Sequence, residues 1–395
     1  MAPRSLLLLS TVATTFVLGA CSQEGVVGSL KTNPPETTSA ETKSAETTVS
    51  AGGASTCVRS TVGDVRCWGE NETGSLGIAN QDPTESRKPL EPFKVGLVRA
   101  LFSGEESHCA IRPDEKVYCW GTIAVAFDEG AGGLSPMMAM PLITPWAIDG
   151  ITGPIAKVAI GRHFMCTLGN EGDVRCFGMN QKGQLGLGTS EGQHLPTTVK
   201  GLDEPVVSLS ASMGGLFVCA ATKSGAVYCW GDNAKGQIGS GGPAAVLAPR
   251  LIEGLSGKAV EVVAGGAHAC ARLDSGKVAC WGEGNDGQLG DGRSTASATP
   301  VETDVLTDVV AIAAGNAHTC AVRSEGAVYC WGSNTDGQAG AIPASNRPWV
   351  ANEASFGART VSCGMSHTCA WAEGGRVKCW GSDARSQLGP KTATF

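Results

Sequence analysis

The chain has no excess of positive charge: 30 Lys and Arg stand against 37 Asp and Glu, a formal net charge of −7. A nucleic-acid surface needs a basic excess, so that class is disfavoured. Sustained helical periodicity is missing beyond the first twenty residues, which argues against a helical domain. No later stretch reads as a membrane span, and the apolar segment Met137–Ile148 is broken by Pro141 and Pro145. Nucleophile elbows, phosphate-cradling loops and recurring carboxylate pairs are also missing, so nothing marks a catalytic site and no cofactor or metal is expected. Asp and Glu are scattered through turns, where solvation accounts for them. What the chain has in quantity is Gly (55) and Cys (16) among 395 residues, with 42% apolar residues to build a core. That many Cys points to an oxidising compartment.

Residues 1–20 have the parts of an export signal: Arg4, an apolar run from Ser5 to Leu18, and small residues at the end. The run is short for a spanning helix. The ending Leu18-Gly19-Ala20-Cys21 resembles a bacterial lipobox. That resemblance implies a lipid on Cys21 and an anchored protein of the cell envelope. Ser22, rather than Asp, follows Cys21, which by the same resemblance implies the outer membrane. Residues 21–46 shift to Thr, Ser, Glu and Pro without hydrophobic periodicity, the composition of a disordered tether. As a flexible coil of about 25 residues it would span roughly 25–30 Å on average. Residues 47–395 form the folded domain.

Setting Cys21 and Cys363 aside, fourteen Cys fall into seven pairs, each ten positions apart: Cys57 and Cys67, Cys109 and Cys119, Cys166 and Cys176, Cys219 and Cys229, Cys270 and Cys280, Cys320 and Cys330, Cys369 and Cys379. The period, near 50 residues, is that of a repeat array of seven units. Other positions keep step. A Gly lies five before each first Cys, from Gly52 to Gly364, with Gly214 in unit four. A Val lies two before each second Cys, and Trp-Gly follows it, except that Phe177 replaces Trp in unit three. Gly-Gln-Leu-Gly or a near copy comes next, except in unit two.

Each unit reads as short strands separated by Gly-containing turns, such as 309–313, 318–322 and 327–331. A fourth strand is expected to start at Pro92, Pro145, Pro196, Pro249, Pro300 or Pro348, since Pro is tolerated at the start of an edge strand. Between Cys320 and Cys330, Ser324-Glu325-Gly326 forms a three-residue hairpin loop whose third position wants a left-handed residue. Gly fills it in six units; Glu115 is the exception. Counting back from the loop, the two Cys face each other as a non-hydrogen-bonded pair, about 4.5 Å between Cα atoms, close enough for a disulfide. Seven cross-strand disulfides are therefore expected. Zinc is the rival, but the short Cys-x-x-Cys clamp is missing. Val328 and Cys330 face one way, Tyr329 and Trp331 the other, so both faces of each sheet are covered. Seven such sheets packed radially make an all-β, seven-bladed propeller.

The unit Gly-x-x-His-Thr-Cys-Ala…Gly-x-Val-x-Cys-Trp-Gly-x-Asn-x-x-Gly-Gln-Leu-Gly, fullest at 315–340 and 265–290, resembles the regulator of chromosome condensation repeat. The resemblance implies a seven-bladed propeller of antiparallel sheets. Two departures stand out. Unit two runs on through Thr122–Thr144, and unit seven stops at Phe395, with at best Lys391–Phe395 as its last strand. The N-terminal segment is thus a candidate for helping to close the ring. The founding member of this family is an exchange factor for a small GTPase; others resemble a plant light sensor or a secreted bacterial β-lactamase inhibitor. Fold does not choose among these. Guanine-nucleotide exchange is disfavoured, because an exported chain does not meet a cytosolic GTPase.

His268, His318 and His367 share one position, with Ser55, Ser107, Phe164 and Phe217 in the other units. Atoms in adjacent blades lie too far apart for a metal bond of about 2 Å, so an imidazole hydrogen-bonded between blades is expected. Cys363 replaces a small axial residue and is expected to be a buried free thiol. Met137, Met138, Met140 and Trp146 mark the candidate partner loop, a Met cluster suiting an adaptable contact surface. The expected function is a monomeric, non-catalytic, envelope-anchored scaffold that binds a protein or surface glycan through its loops. A secreted-enzyme inhibitor is a sharper version. An extracellular enzyme with a site at the propeller mouth is the alternative.

Overall fold

A computed structural model describes residues 48–125, 138–303, 306–340, 345–352, 356–390 and 393–395. The export signal, Cys21 and the tether lie outside the described residues. Among the described residues, twenty-eight strands form seven four-stranded antiparallel sheets. Blade 1 holds β1 (Thr48–Ala51), β2 (Ser55–Arg59), β3 (Val65–Glu70) and β4 (Glu85–Leu90). Blade 2 holds β5 (Ala100–Ser103), β6 (Ser107–Ile111), β7 (Val117–Val125) and β8 (Met138–Ala147). Blade 3 runs through β9 (Ile155–Gly161), β10 (Phe164–Gly169), β11 (Val174–Gly178) and β12 (Gln193–Thr198). Blade 4 comprises β13 (Val206–Ala211), β14 (Phe217–Thr222), β15 (Val227–Asp232) and β16 (Ala245–Leu251). In blade 5 come β17 (Ala259–Ala264), β18 (His268–Leu273), β19 (Val278–Gly282) and β20 (Ser297–Glu302). Blade 6 has β21 (Val309–Ala314), β22 (His318–Arg323), β23 (Val328–Gly332) and β24 (Ser345–Asn352). Blade 7 has β25 (Ala358–Cys363), β26 (His367–Ala372), β27 (Arg376–Gly381) and β28 (Ala393–Thr394).

The first strand of each blade touches that of the next, and β25 returns to β1, so the seven sheets close a ring. Blade 7 takes its outer strand from the C-terminal residues, and β1 serves as the inner strand of blade 1. No described N-terminal residue adds a strand to blade 7, though β1 packs against β25 and β26 where the ring closes; the segment before Thr48, the candidate for helping to close it, lies outside the described residues. The core lies between blades. Cys320, Val328 and Cys330 pack against Val361 and Ala370 of blade 7, while Ala321 and Trp331 pack against Val278 and Leu289 of blade 5. The alternation of the strand thus serves two neighbours at once.

The middle hairpins follow the expected register. Cys320 pairs with Cys330, and every other Cys pair matches it. All seven pairs sit at disulfide distance, with Cα atoms 4.0–4.1 Å apart. Gly326 has φ 88°, and Glu115 adopts the same left-handed turn with φ 63°. Glu115 is held there by an ion pair with Arg99.

Two details of the repeat differ from the sequence reading. The prolines do not start the outer strands but sit within them, at a bulge. Each precedes the residue opposite the second Cys, as Pro300 precedes Val301, which faces Cys280, and the ladder then skips to Gly282 and Ser297. Pro has no N–H to give, so it falls where the ladder is broken. By this rule the blade 1 equivalent is Pro89, before Leu90 opposite Cys67, and not Pro92. Gly214 is not the counterpart of Gly265 either. In blade 4 the turn between β13 and β14 is two residues longer than the turn between β17 and β18, and Ser212 donates its N–H to Phe217 O as Gly265 does to His268 O.

Candidate functional site

The recurring polar residues are consumed at the seams between blades. The indole N–H of the Trp that follows the second Cys donates to a backbone carbonyl of the preceding blade's Gly-Gln-Leu-Gly turn or its near copy: Trp230 to Gln184, Trp281 to Gln237, Trp331 to Gln288 and Trp380 to Gln338, all at 2.8–3.0 Å. Trp120 uses Ser75 of the variant turn Gly-Ser-Leu-Gly, and Trp68 closes the circle on Gln387. The two exceptions of the repeat meet at one seam. Blade 2 lacks that turn, and the residue of blade 3 that would need its carbonyl is Phe177, which has no N–H to satisfy.

The histidines join the same seams. His268 Nε2 lies 2.8 Å from Thr319 Oγ1 of the next blade, and that hydroxyl donates to Gln288 O at 3.0 Å. One hydroxyl proton is available, so Nε2 must carry the hydrogen and donate to Thr319. His318 bonds Thr368, which donates to Gln338 O, and His367 bonds Thr56, which donates to Gln387 O. His108 is held differently, between Ser103 and Ser55. All four rings are fully buried. Burial pushes His268 and His367 down to about 4, and His108 and His318 to about 3, so the imidazoles are neutral. The expected role between blades is the observed one.

Cys363 is a buried free thiol on β25. Its sulfur lies 3.9 Å from Thr368 Oγ1, and burial pushes the thiol up to about 12. His318 and Cys320 place ligand-type atoms within 4.8 Å of it. Cys320, however, is joined to Cys330. A sulfur in a disulfide is not a thiolate ligand, so this cluster is not a metal triad in the oxidised protein.

The insert Thr122–Thr144 is not a simple loop. Its two ends are strand, extending β7 and β8 in register from Gly121↔Leu142 to Val125↔Met138. Met138, Met140 and Trp146 lie on β8, the outer strand; Met137 lies outside the described residues. Met138 and Trp146 are 51% and 60% exposed, and Ile143 beside them is 36% exposed. Ile143 O accepts the N–H of Ala79, which ties this hairpin to blade 1.

Along the ring axis runs a channel of about 200 Å³, walled by the first strand of every blade. Its walls are mainly small or apolar, with Ser50, Ser103, Ser210 and Ser362 among them. Lys157 on β9 and Glu261 on β17 are its two charged residues. Burial lowers the Lys157 ammonium, with Glu261 acting in the opposite direction. Glu261 is paired with Arg272 at 2.9 Å.

The family model described as RCC1-like domain matches residues 127–394. The chain belongs to the RCC1-like domain family. Among relatives, it is 31% identical over 258 residues to the human E3 ubiquitin-protein ligase HERC2, covering 64% of this chain and 5% of that protein. It is 29% identical over 244 residues to the Ultraviolet-B receptor UVR8 of Arabidopsis thaliana, covering 61% of this chain and 54% of the receptor. The chain thus spans little more than half the length of UVR8 and a small fraction of HERC2. Human WBSCR16 shares the fold with a TM-score of 0.71 at 22% identity, over 82% of this chain and 86% of that one. Yeast RCC1 (Prp20), solved bound to Kap60, does so with 0.67 at 22%, over 86% and 81%.

Within this RCC1-like propeller, sequence reasoning found the clasps, the turns and the seam histidines but missed Lys157 and Glu261. They occupy the third position of their inner strands, where the other aligned blades carry Thr48, Ala100, Ser208, Ala311 and Thr360. Superposing the seven units would have singled them out as the charged pair at a small-residue position.

Proposed function

We propose that this protein is an exported, lipid-anchored, non-catalytic scaffold that binds another protein through the β7–β8 hairpin of blade 2. The observation that carries the reading is the exposure of Trp146 and Met138 on an outer strand longer than its counterparts. Exposed aromatic and Met side chains at one edge suit a contact surface, because each offers large apolar area. The recurring His Nε2, Thr hydroxyl and Trp indole groups bond one another or backbone across the seams, which supports a scaffold rather than an active centre. Yeast RCC1 bound to Kap60 is an example of protein binding by a relative of this fold. Cys21 would supply the envelope anchor, with the chain acting as a monomer. A surface glycan is the other occupant this hairpin would suit.

The test is a pull-down from envelope extract with the intact propeller and with a Trp146→Ala/Met138→Ser variant. A protein recovered by the first and lost by the second is the expected result. Equal recovery by both would remove the hairpin from the interaction. Recovery of polysaccharide instead would replace the protein by a glycan.

A further inference from the structure

We infer that the axial channel is a binding site for a small oxyanion, a carboxylate or phosphate, held by Lys157. The channel is a built cavity of about 200 Å³, enclosed by all seven inner strands, enough for a small metabolite. Lys157 is half-buried in its wall and makes no hydrogen bond or ion-pair contact among the described residues. An ammonium partly withdrawn from water and facing only an acid that already serves Arg272 is costly, and an anion in the cavity would relieve that cost.

The nearest acid does not meet the need. Glu261 is engaged by Arg272 through Oε2 at 2.9 Å. Arg272, outside the channel lining, already balances Glu261, which leaves Lys157 as the less compensated charge of the wall and favours an anion over a zwitterion or a cation. Neutral donors line the same space. Ser210 Oγ accepts the N–H of Ala264 at 3.0 Å, and Ser362 Oγ accepts the N–H of Ala51 at 2.9 Å. Each hydroxyl uses a lone pair in that bond and keeps its proton to donate. An ammonium plus hydroxyl donors over apolar walls such as Phe102, Leu209 and Val361 is the composition of a small-molecule pocket. The imidazoles of the seams are neutral and do not compete for the anion.

The probes are sodium phosphate and sodium succinate, titrated into the full chain by calorimetry at constant ionic strength set with chloride. At least one should bind with unit stoichiometry, and comparing the two distinguishes the phosphate from the carboxylate source. Lys157→Met should weaken that binding by about tenfold or more, since a charge-assisted contact is lost. Glu261→Gln should strengthen it, because the local acid is removed while Arg272 remains. This opposite sign separates anion binding from a general loosening of the fold. Absence of saturable binding by wild type for both probes, or equal affinity in wild type and Lys157→Met, would overturn the assignment. So would weaker binding in Glu261→Gln.

Discussion

The indole Nε1 of Trp68 donates to the carbonyl of Gln387, 319 residues further along the chain, at 2.9 Å. This bond closes the ring between blade 7 and blade 1, and Thr56, itself bonded to His367, donates to the same carbonyl. The closing seam therefore uses the same chemistry as the internal ones. Trp331→Phe should cost about 1–2 kcal/mol, the worth of a buried hydrogen bond with some packing loss. Phe177→Trp should destabilise by a comparable amount, about 1–3 kcal/mol, because blade 2 supplies no Gly-Gln-Leu-Gly carbonyl for the new N–H. Urea unfolding of both variants checks this; a stabilising Phe177→Trp would refute the account of that seam.

The buried histidines make acid destabilising. Their folded values, about 3 to 4, lie below the unfolded value near 6.5, so the unfolded state binds more protons between these limits. Stability is thus full above pH 6.5 and falls as the pH drops. Each histidine contributes about 1.4 kcal/mol per pH unit over that window. His268→Phe should remove one such share, and Phe164 shows that the ring fits: it sits over Gly161 as His268 sits over Gly265. Unfolding free energies at pH 7, 6 and 5 measure the slope, and a flat profile in the wild type would contradict it.

Each Cys pair closes a loop of about a dozen residues, worth about 2–3 kcal/mol in the chain-entropy account. Replacing Cys320 and Cys330 together by Ala should lower stability by about that amount while the other six clasps persist. Mass spectrometry of unreduced peptides should find all seven local pairs and a single alkylatable thiol at Cys363 once the propeller is unfolded. Free thiols at the paired positions would disprove the clasp reading.

Gly326 has φ 88°, and a Cβ there would lie 2.7 Å from the Cα of Gly357 and 3.0 Å from the nitrogen of Ala358. Gly326→Ala therefore combines left-handed strain of about 1–2 kcal/mol with a backbone collision. A loss of at least that size is expected by thermal or chemical unfolding. An unchanged midpoint would mean that the loop relaxes to a different turn.

Much of the blade was legible because local rules dictate it. The ten-residue Cys spacing, the loop Gly and the alternation of Val328 with Tyr329 each constrain register within a single hairpin. The outer strand was less legible. Its prolines pointed to strand starts, whereas a bulge skips residues between Cys280 and Gly282, and no local pattern encodes that. Gly214 misled for a related reason, since a two-residue insertion kept its spacing from Cys219 while shifting its place in the turn. The channel charges escaped because Lys157 and Glu261 come together only when the ring closes. Met138 and Met140 could be singled out by type, but only the pairing of β7 with β8 put them on an outer strand rather than a loop.

Because every clasp joins neighbours in the sequence, an oxidant that links thiols in order of their emergence makes native bonds from Cys57 through Cys330 without correction, provided that the proposed lipid keeps Cys21 out of the order. The order fails once. Cys363 emerges between Cys330 and Cys369, so the last blade alone can be trapped with its first new thiol joined to the second. Quality control by disulfide reshuffling is then needed for one-seventh of the ring, and that blade is also the one that must close it.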